Sequence, residues 1–264
     1  MAKTHIALLT DFGTRDHYVG VIKGVILSIC PDVTLVDLSH DLPAHDIPFA
    51  AQELVATAKY FPAGTIFLVV VDPGVGTARR GIAAEVGEWR FVAPDNGVLT
   101  AVFQEVPPKR VVELTDRKYA RPTVSRTFEG RDRFAPAAAF LAKGIQLQAF
   151  GRLVTDFQML DLPRPVVDDG QVRGVVVRID RFGNVVTNLD RVSCVRVTDH
   201  AAQVQLTVAG RAIGRIVSTY ADLAPGEIGA LFGSTDHLEC AALAASAAAE
   251  LGAAVGDPVE LRRV

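Results

Sequence analysis

Residues 65–71, Thr-Ile-Phe-Leu-Val-Val-Val, form a run too apolar and too β-branched to cover only one face of a sheet. Such a strand belongs in the middle of a parallel sheet with helices on both sides, and the flanking sequence alternates accordingly. Residues 6–9 read as a buried strand. Between Asp16 and Cys30, Val21, Ile22, Val25, Ile26 and Ile29 recur at helical spacing until Pro31 stops the pattern. Residues 34–38 form a second strand and 46–60 a second helix, with Pro48 in its first turn. Residues 81–86 and 89–93 flank Gly87-Glu88 as a tight hairpin, and 98–103 and 134–143 read as further helices.

The pattern changes in the second half. Residues 161–172, with their prolines and aspartates and few periodic apolar positions, read as a linker. Beyond it, 174–180, 194–198, 204–208, 212–217 and 259–262 are short, β-rich and separated by turns, which fits a small barrel or sandwich. The alanine-rich stretch 240–251 starts as a strand and ends as a helix. The domains expected are therefore 1–160, α/β with a largely parallel central sheet, and 173–264, small and all-β.

A chain of 264 residues with 49% hydrophobic content can bury a large core. A net charge of −3 with scattered arginines provides no broad basic field, so nucleic acid and anionic membrane are not expected partners, and a small ligand is. No signal-like order opens the sequence and no apolar run reaches spanning length, so the expected location is cytoplasmic. Cys30, Cys194 and Cys240 are odd in number and far apart, and read as buried packing residues. The six histidines show no ligand spacing, and no metal is expected.

Five acid-and-glycine segments carry the chemistry: 10–13 (Thr-Asp-Phe-Gly), 71–76 (Val-Asp-Pro-Gly-Val-Gly), 94–97 (Pro-Asp-Asn-Gly), 128–132 (Phe-Glu-Gly-Arg-Asp) and 180–184 (Asp-Arg-Phe-Gly-Asn). Most meet an apolar run, and strand ends are where open α/β sheets place ligands. Asp11 stands where a carboxylate can accept two hydrogen bonds from a ribose diol, or where an ordinary turn aspartate would stand. The 72–76 turn has too little side chain to pack, yet lacks the Lys-Ser/Thr ending of a phosphate loop. Turn chemistry accounts for 94–97, which stays outside the catalytic set. Helix capping and a solvated ion pair would account for 129–132, and an Asn-rich hairpin for 180–188, as well as a ligand would.

Taken together and in order, these segments resemble the family of S-adenosyl-L-methionine (SAM) hydroxide adenosyltransferases, or SAM hydrolases, whose relatives include the fluorinase and chlorinase. The likeness rests on 10–13, Tyr18-Val19-Gly20 with Lys23-Gly24, 71–76 with Thr77 and Arg79, 94–97, 182–188 and 234–247. It implies an α/β N-terminal domain, a β-barrel C-terminal domain, SAM as substrate with no cofactor, and a homotrimer whose sites lie between one subunit's N-terminal domain and its neighbour's C-terminal domain. Asp11 would grip the ribose hydroxyls, with His45 on the sugar face. Asp180, Phe182, Asn184 and Ser234 would meet the methionine half and adenine edge, Ala244 would supply backbone near the adenine, and Gly130 would line the substrate. Asp72 and Arg79 match two members of an Asp-Arg-His set that handles water. The third departs: the family reads Phe-His-Gly-Arg-Asp, and this chain has Glu129 where the histidine would be.

Departure of a neutral thioether makes the 5′ carbon of SAM open to in-line attack, so a protein need only fix geometry and deliver a nucleophile. Asp72 would take the proton of water, with Arg79 holding its pKa down. Asp72, Arg79 and Glu129 would carry net negative charge that repels halide, unless the two acids share a proton or Glu129 pairs with Arg131. A chlorinase-like halogenase and a SAM- or adenosine-binding protein without turnover are the alternatives. A methyltransferase would need a glycine fingerprint after the first strand, and the sequence has none there.

Overall fold

The computed structural model describes residues 4–198 and 203–264, and the chain divides into two compact units between Leu162 and Pro163. The first unit runs β1 (His5–Thr10), α1 (Tyr18–Ile29), β2 (Thr34–Ser39), α2 (Ile47–Ala58), β3 (Ile66–Val70), β4 (Gly81–Val86), β5 (Trp89–Pro94), α3 (Thr100–Glu105), β6 (Pro108–Glu113), a π-helical turn at Gly130–Phe134, and α4 (Ala135–Ala142). Its sheet has the order β2-β1-β3-β5-β4-β6. The pairs β1–β2, β1–β3 and β3–β5 are parallel. β4 lies antiparallel to both β5 and β6, so the sheet is mixed rather than largely parallel. The hairpin at Gly87, whose φ is +55°, reverses the chain and begins the antiparallel part.

Period-two alternation sorts the central strands onto two cores. Ile6, Leu8, Ile66, Leu68 and Val70 pack with α1 and α4 residues such as Ile22, Ile26 and Ala138. Ala7, Leu9, Phe67, Val69 and Val71 face the opposite way onto Leu54 and Val102 of α2 and α3. Phe67 stacks on Phe91 with ring centroids 5.0 Å apart. Each large side chain so buried stabilises the fold by roughly 1.5–3 kcal/mol before the entropy of ordering is subtracted. The caps follow from sequence: Asp46 accepts the Phe49 N–H at 2.9 Å, ahead of Pro48 in the first turn of α2.

The second unit contains β7 (Val166–Asp168), β8 (Gln171–Ile179), β9 (Val185–Asp190), α5 (Arg191–Thr198), β10 (Val204–Val208), β11 (Arg211–Ile213), β12 (Ile228–Phe232), β13 (His237–Ala242), α6 (Ala247–Leu251) and β14 (Pro258–Arg263). The sheet order is β11-β10-β14-β8-β9-β13-β12, every neighbouring pair antiparallel, with β7 added to β8. Its two ends meet, since Ile216 bridges Ala230 of β12 and Val217 N–H donates to the Ala230 carbonyl at 2.7 Å. The result is a nearly closed, barrel-like sheet around Val172, Val176, Leu206, Leu238 and Leu261.

This unit is not all-β. Residues 194–198, read as a strand, belong to α5, where Asp190 accepts both the Ser193 N–H and its hydroxyl. Cys194 and Val197 are its buried residues, three apart, which is a helical spacing that a short apolar run disguises as alternation. Regular pairing in 212–217 stops at Ile213. Residues 161–172 carry β7 and the start of β8. Cys194 and Cys240 are buried and burial pushes both thiols up to about 12, whereas Cys30 is partly exposed, contrary to the reading of all three as buried. Among the described residues no helix is long and apolar enough to cross a membrane.

Candidate active site

Strand order and register bring four of the five acid-and-glycine segments to one edge of the first sheet. Thr10 of β1 pairs with Val70 of β3, so Asp11 and Asp72 leave the same end of neighbouring parallel strands. The chain leaves β1 toward β2 on one side and returns to β3 on the other, which makes this pair of strands the switch point where open α/β sheets form a ligand crevice. β5 runs parallel to β3 and ends at Pro94, ahead of Asp95. Gly81 pairs antiparallel with Pro94, so Arg79 and Arg80 arrive from that same edge. Gly130 is buried on β3, where a Cβ would stand 3.1 Å from Val70 Cγ1, and the missing side chain lets the 128–132 segment come close.

At that edge the two acids share one arginine. Arg79 donates Nε to Asp72 Oδ1 at 2.8 Å and Nη2 to Asp72 Oδ2, while its Nη1 reaches Glu129 Oε2 at 3.0 Å. Glu129 Oε2 also accepts Nη1 of Arg133 at 2.9 Å, and Arg133 is anchored by Nη2 on the Leu114 carbonyl at 2.6 Å. Glu129 therefore does not pair with Arg131, whose fork binds Asp132. Two acids and two arginines balance, so the net negative field expected from Asp72, Arg79 and Glu129 is offset by Arg133. The pKa of Asp72 moves opposite to expectation: burial raises it, and the neighbouring Glu129 raises it further, against the lowering effect of Arg79.

The loop that presents Asp72 is held by its own backbone. Val75 N–H donates to the Asp72 carbonyl at 3.2 Å, and the Thr77 hydroxyl to the Gly74 carbonyl at 2.7 Å. Gly76 has φ +78°, and a Cβ there would overlap the Arg126 carbonyl oxygen. Behind Arg79 lies the Phe134 ring, 5.2 Å from the guanidinium carbon, and that ring occupies the place a Cβ on Gly81 would need.

Asp11 is nearly buried and accepts the backbone N–H of His45 at 2.8 Å, with His45 Nδ1 4.0 Å away. His45 takes φ +67°, and its ring is largely exposed beside the carboxylate. Thr10 Oγ1 and His40 Nδ1 lie 2.8 Å apart, and Gly13 N–H donates to the His40 carbonyl at 2.7 Å, which fixes the turn that aims Asp11. Two other acids at this edge are tied into the scaffold. Asp95 accepts from Arg80 and from the Gln158 N–H, and Asp132, fully buried, accepts from Arg131 and the Ser125 N–H.

The fifth segment lies in the second unit. Asp180 Oδ1 accepts the N–H groups of Phe182 and Asn184, and Oδ2 accepts the Asn184 side-chain amide at 2.9 Å. Its oxygens thus build the turn, leaving Phe182 78% exposed at its tip. Gly183, φ +84°, sits against Ser246 at the start of α6. Ser234 falls in the β12–β13 connection, and Ala244 takes φ +59° just after β13. Near them stands a pair that the sequence did not reveal: Tyr220, on a short 3-10 turn before β12, donates its hydroxyl to Glu239 of β13, and desolvation with that acid beside it pushes the phenol up to about 12. Arg133 was missed as well, although its position four residues after Glu129 on a helical turn was the available signal. Among the described residues no group of three or more metal-ligating side chains comes together.

The first sheet thus gathers a cluster of charged side chains at its switch point, the place where open α/β sheets hold ligands. A model of the SAM hydroxide adenosyltransferase N-terminal domain matches residues 6–151, and one of the C-terminal domain matches 174–260. An (R)-S-adenosyl-L-methionine hydrolase from Thermus thermophilus is 38% identical, over 97% of this chain and 98% of its own. A fluorinase from Nocardia brasiliensis is 30% identical, over 97% and 96%. The crystal structure of an uncharacterized conserved protein from Thermotoga maritima superposes with a TM-score of 0.93 at 35% identity, covering 98% of this chain and all of that one. The chain belongs to the SAM hydroxide adenosyltransferase family.

Proposed function

We propose that the protein hydrolyses SAM to adenosine and methionine. Water attacks the 5′ carbon in line with the carbon–sulfur bond, the bonding pair leaves with sulfur to give the methionine thioether, and the proton of water passes to Asp72. The observation that carries this reading is the fork of Arg79 on Asp72 at the β1/β3 edge, one strand from Asp11. A carboxylate has about four acceptor positions, so one that takes both arms of Arg79 and the Gly74 backbone N–H still keeps a position for a water molecule. Its raised pKa makes it a better base than an ordinary aspartate.

On this reading Asp11 holds the ribose diol and His45 lies on the sugar face, with Gly130 lining the pocket. Asp180, Phe182, Asn184, Ser234 and Ala244 serve the methionine and adenine ends. The protein works in the cytoplasm, as a homotrimer, with no cofactor. The relatives named as SAM hydrolases support water as nucleophile. Because Arg133 offsets Glu129, exclusion of anions by net charge no longer argues against halide, so the test must include one. Incubation with SAM in oxygen-18 water, with and without chloride, should yield adenosine labelled at its 5′ hydroxyl in both. A chlorinated nucleoside would favour the halogenase, and intact SAM the binding protein.

A further inference from the structure

Arg79 alone could not serve two acids equally, since its fork is already spent on Asp72 and only Nη1 remains for Glu129. A buried carboxylate with a single shared donor would compete for that guanidinium and draw it off the base. Arg133 removes the competition by meeting the same Oε2 of Glu129 from the other side. Its position is fixed from the sheet, because Nη2 is held on the carbonyl of Leu114, just past β6. The neighbouring charges are occupied elsewhere: Arg131 and Arg121 on Asp132, and Arg80 on Asp95 and Asp156.

We propose that Arg133 is a positioning residue for the reaction: by ion-pairing Glu129 it sets the charge beside Asp72 and keeps Arg79 committed to the base. This rests on the hydrolase reading. Arg133 does not touch the carboxylate that receives the proton, and it acts through Glu129 and Arg79. Glu129 and Arg133 then form one unit, and opposite substitutions in it should push Asp72 in opposite directions. Loss of the cation leaves a bare anion near Asp72 and disfavours its ionisation, whereas loss of the anion favours it.

The test is the pH dependence of kcat for R133Q, E129Q, the E129Q/R133Q double variant and R133K. R133Q should move the acid limb up by about one pH unit and E129Q should move it down by about as much, with KM for SAM little changed. The double variant should return toward the parent, and R133K, which keeps the charge, should stay close to it. E129Q reads the same coupling from the other partner if R133Q does not fold. A limb that R133Q and E129Q leave in place, or shift in the same direction, overturns the proposal. If the parent makes no adenosine, the hydrolase reading fails by itself. The pairing is then read from the carbon-13 titration of the Asp72 carboxyl in the same variants, where the opposite shifts are again required.

Discussion

Arg79 binds Asp72 with both arms of its guanidinium, Nε on Oδ1 at 2.8 Å and Nη2 on Oδ2. Asp72→Asn keeps the shape and removes the proposed base. We expect kcat to fall by about a hundred- to ten-thousand-fold, with a modest change in SAM affinity, in single-turnover and equilibrium-binding measurements. A variant that keeps most of its turnover would remove Asp72 from the mechanism.

Turnover should also report the raised pKa of Asp72. On the proposed mechanism its ionised form is the active one, so activity should appear as pH rises through a value above the ordinary 3.8 and vanish below it. For the fold the sign is reversed. A carboxyl with a raised pKa favours the folded state while protonated, so the contribution is present at low pH and is lost as pH rises through the folded value. A kcat profile whose acid limb lies at or below 3.8 would contradict the shift.

Asp132 gives the opposite case. Desolvation works to raise its pKa, but the hydrogen bonds from Arg131 and Ser125 outweigh this and hold it below the usual carboxylate range. Its contribution to stability is present above the unfolded pKa and is lost as pH falls through the lower folded value. Asp132→Ala should cost roughly 2–3 kcal/mol in urea unfolding at neutral pH. The difference from the parent should shrink in strong acid.

Gly76→Ala should unseat the loop without touching a charge. Its φ of +78° and the clash with the Arg126 carbonyl oxygen leave a methyl no place. We expect more than about 1 kcal/mol lost in thermal or denaturant unfolding, and a lower kcat as Asp72 shifts.

Restoring the family residue, Glu129→His, should lower activity in this chain, because Arg133 would then face an imidazole instead of a carboxylate. Activity equal to the parent would show that Glu129 and Arg133 are independent.

The sequence revealed most of the first unit because its strands are buried on both faces and its helices are amphipathic. The 65–71 run and the spacing from Val21 to Ile29 lead directly to β3 and α1. β6 was not legible, since Val111 and Val112 stand between charged and proline residues and gain their burial from partners distant in sequence, by pairing with β4 and packing into the two cores. The second unit was harder: β9 and β13 pair with each other from distant parts of the sequence as well as with their neighbours β8 and β12, and α5 hides a helical spacing in an apolar run. At the site, the residue types of Asp72, Arg79 and Glu129 could be read, but their mutual pairing could not. Burial decides the direction of the Asp72 shift, and the fold decides that Glu129 meets Arg133 rather than Arg131.

Phe134 takes the space that any side chain on Gly81 would require, and the guanidinium of Arg79 rests over that ring. The lone hydrogen of Gly81 thus makes room for the ring on which the cation rests. A methyl there would overlap that ring, so the seat of Arg79 depends on a strand position that carries no charge at all.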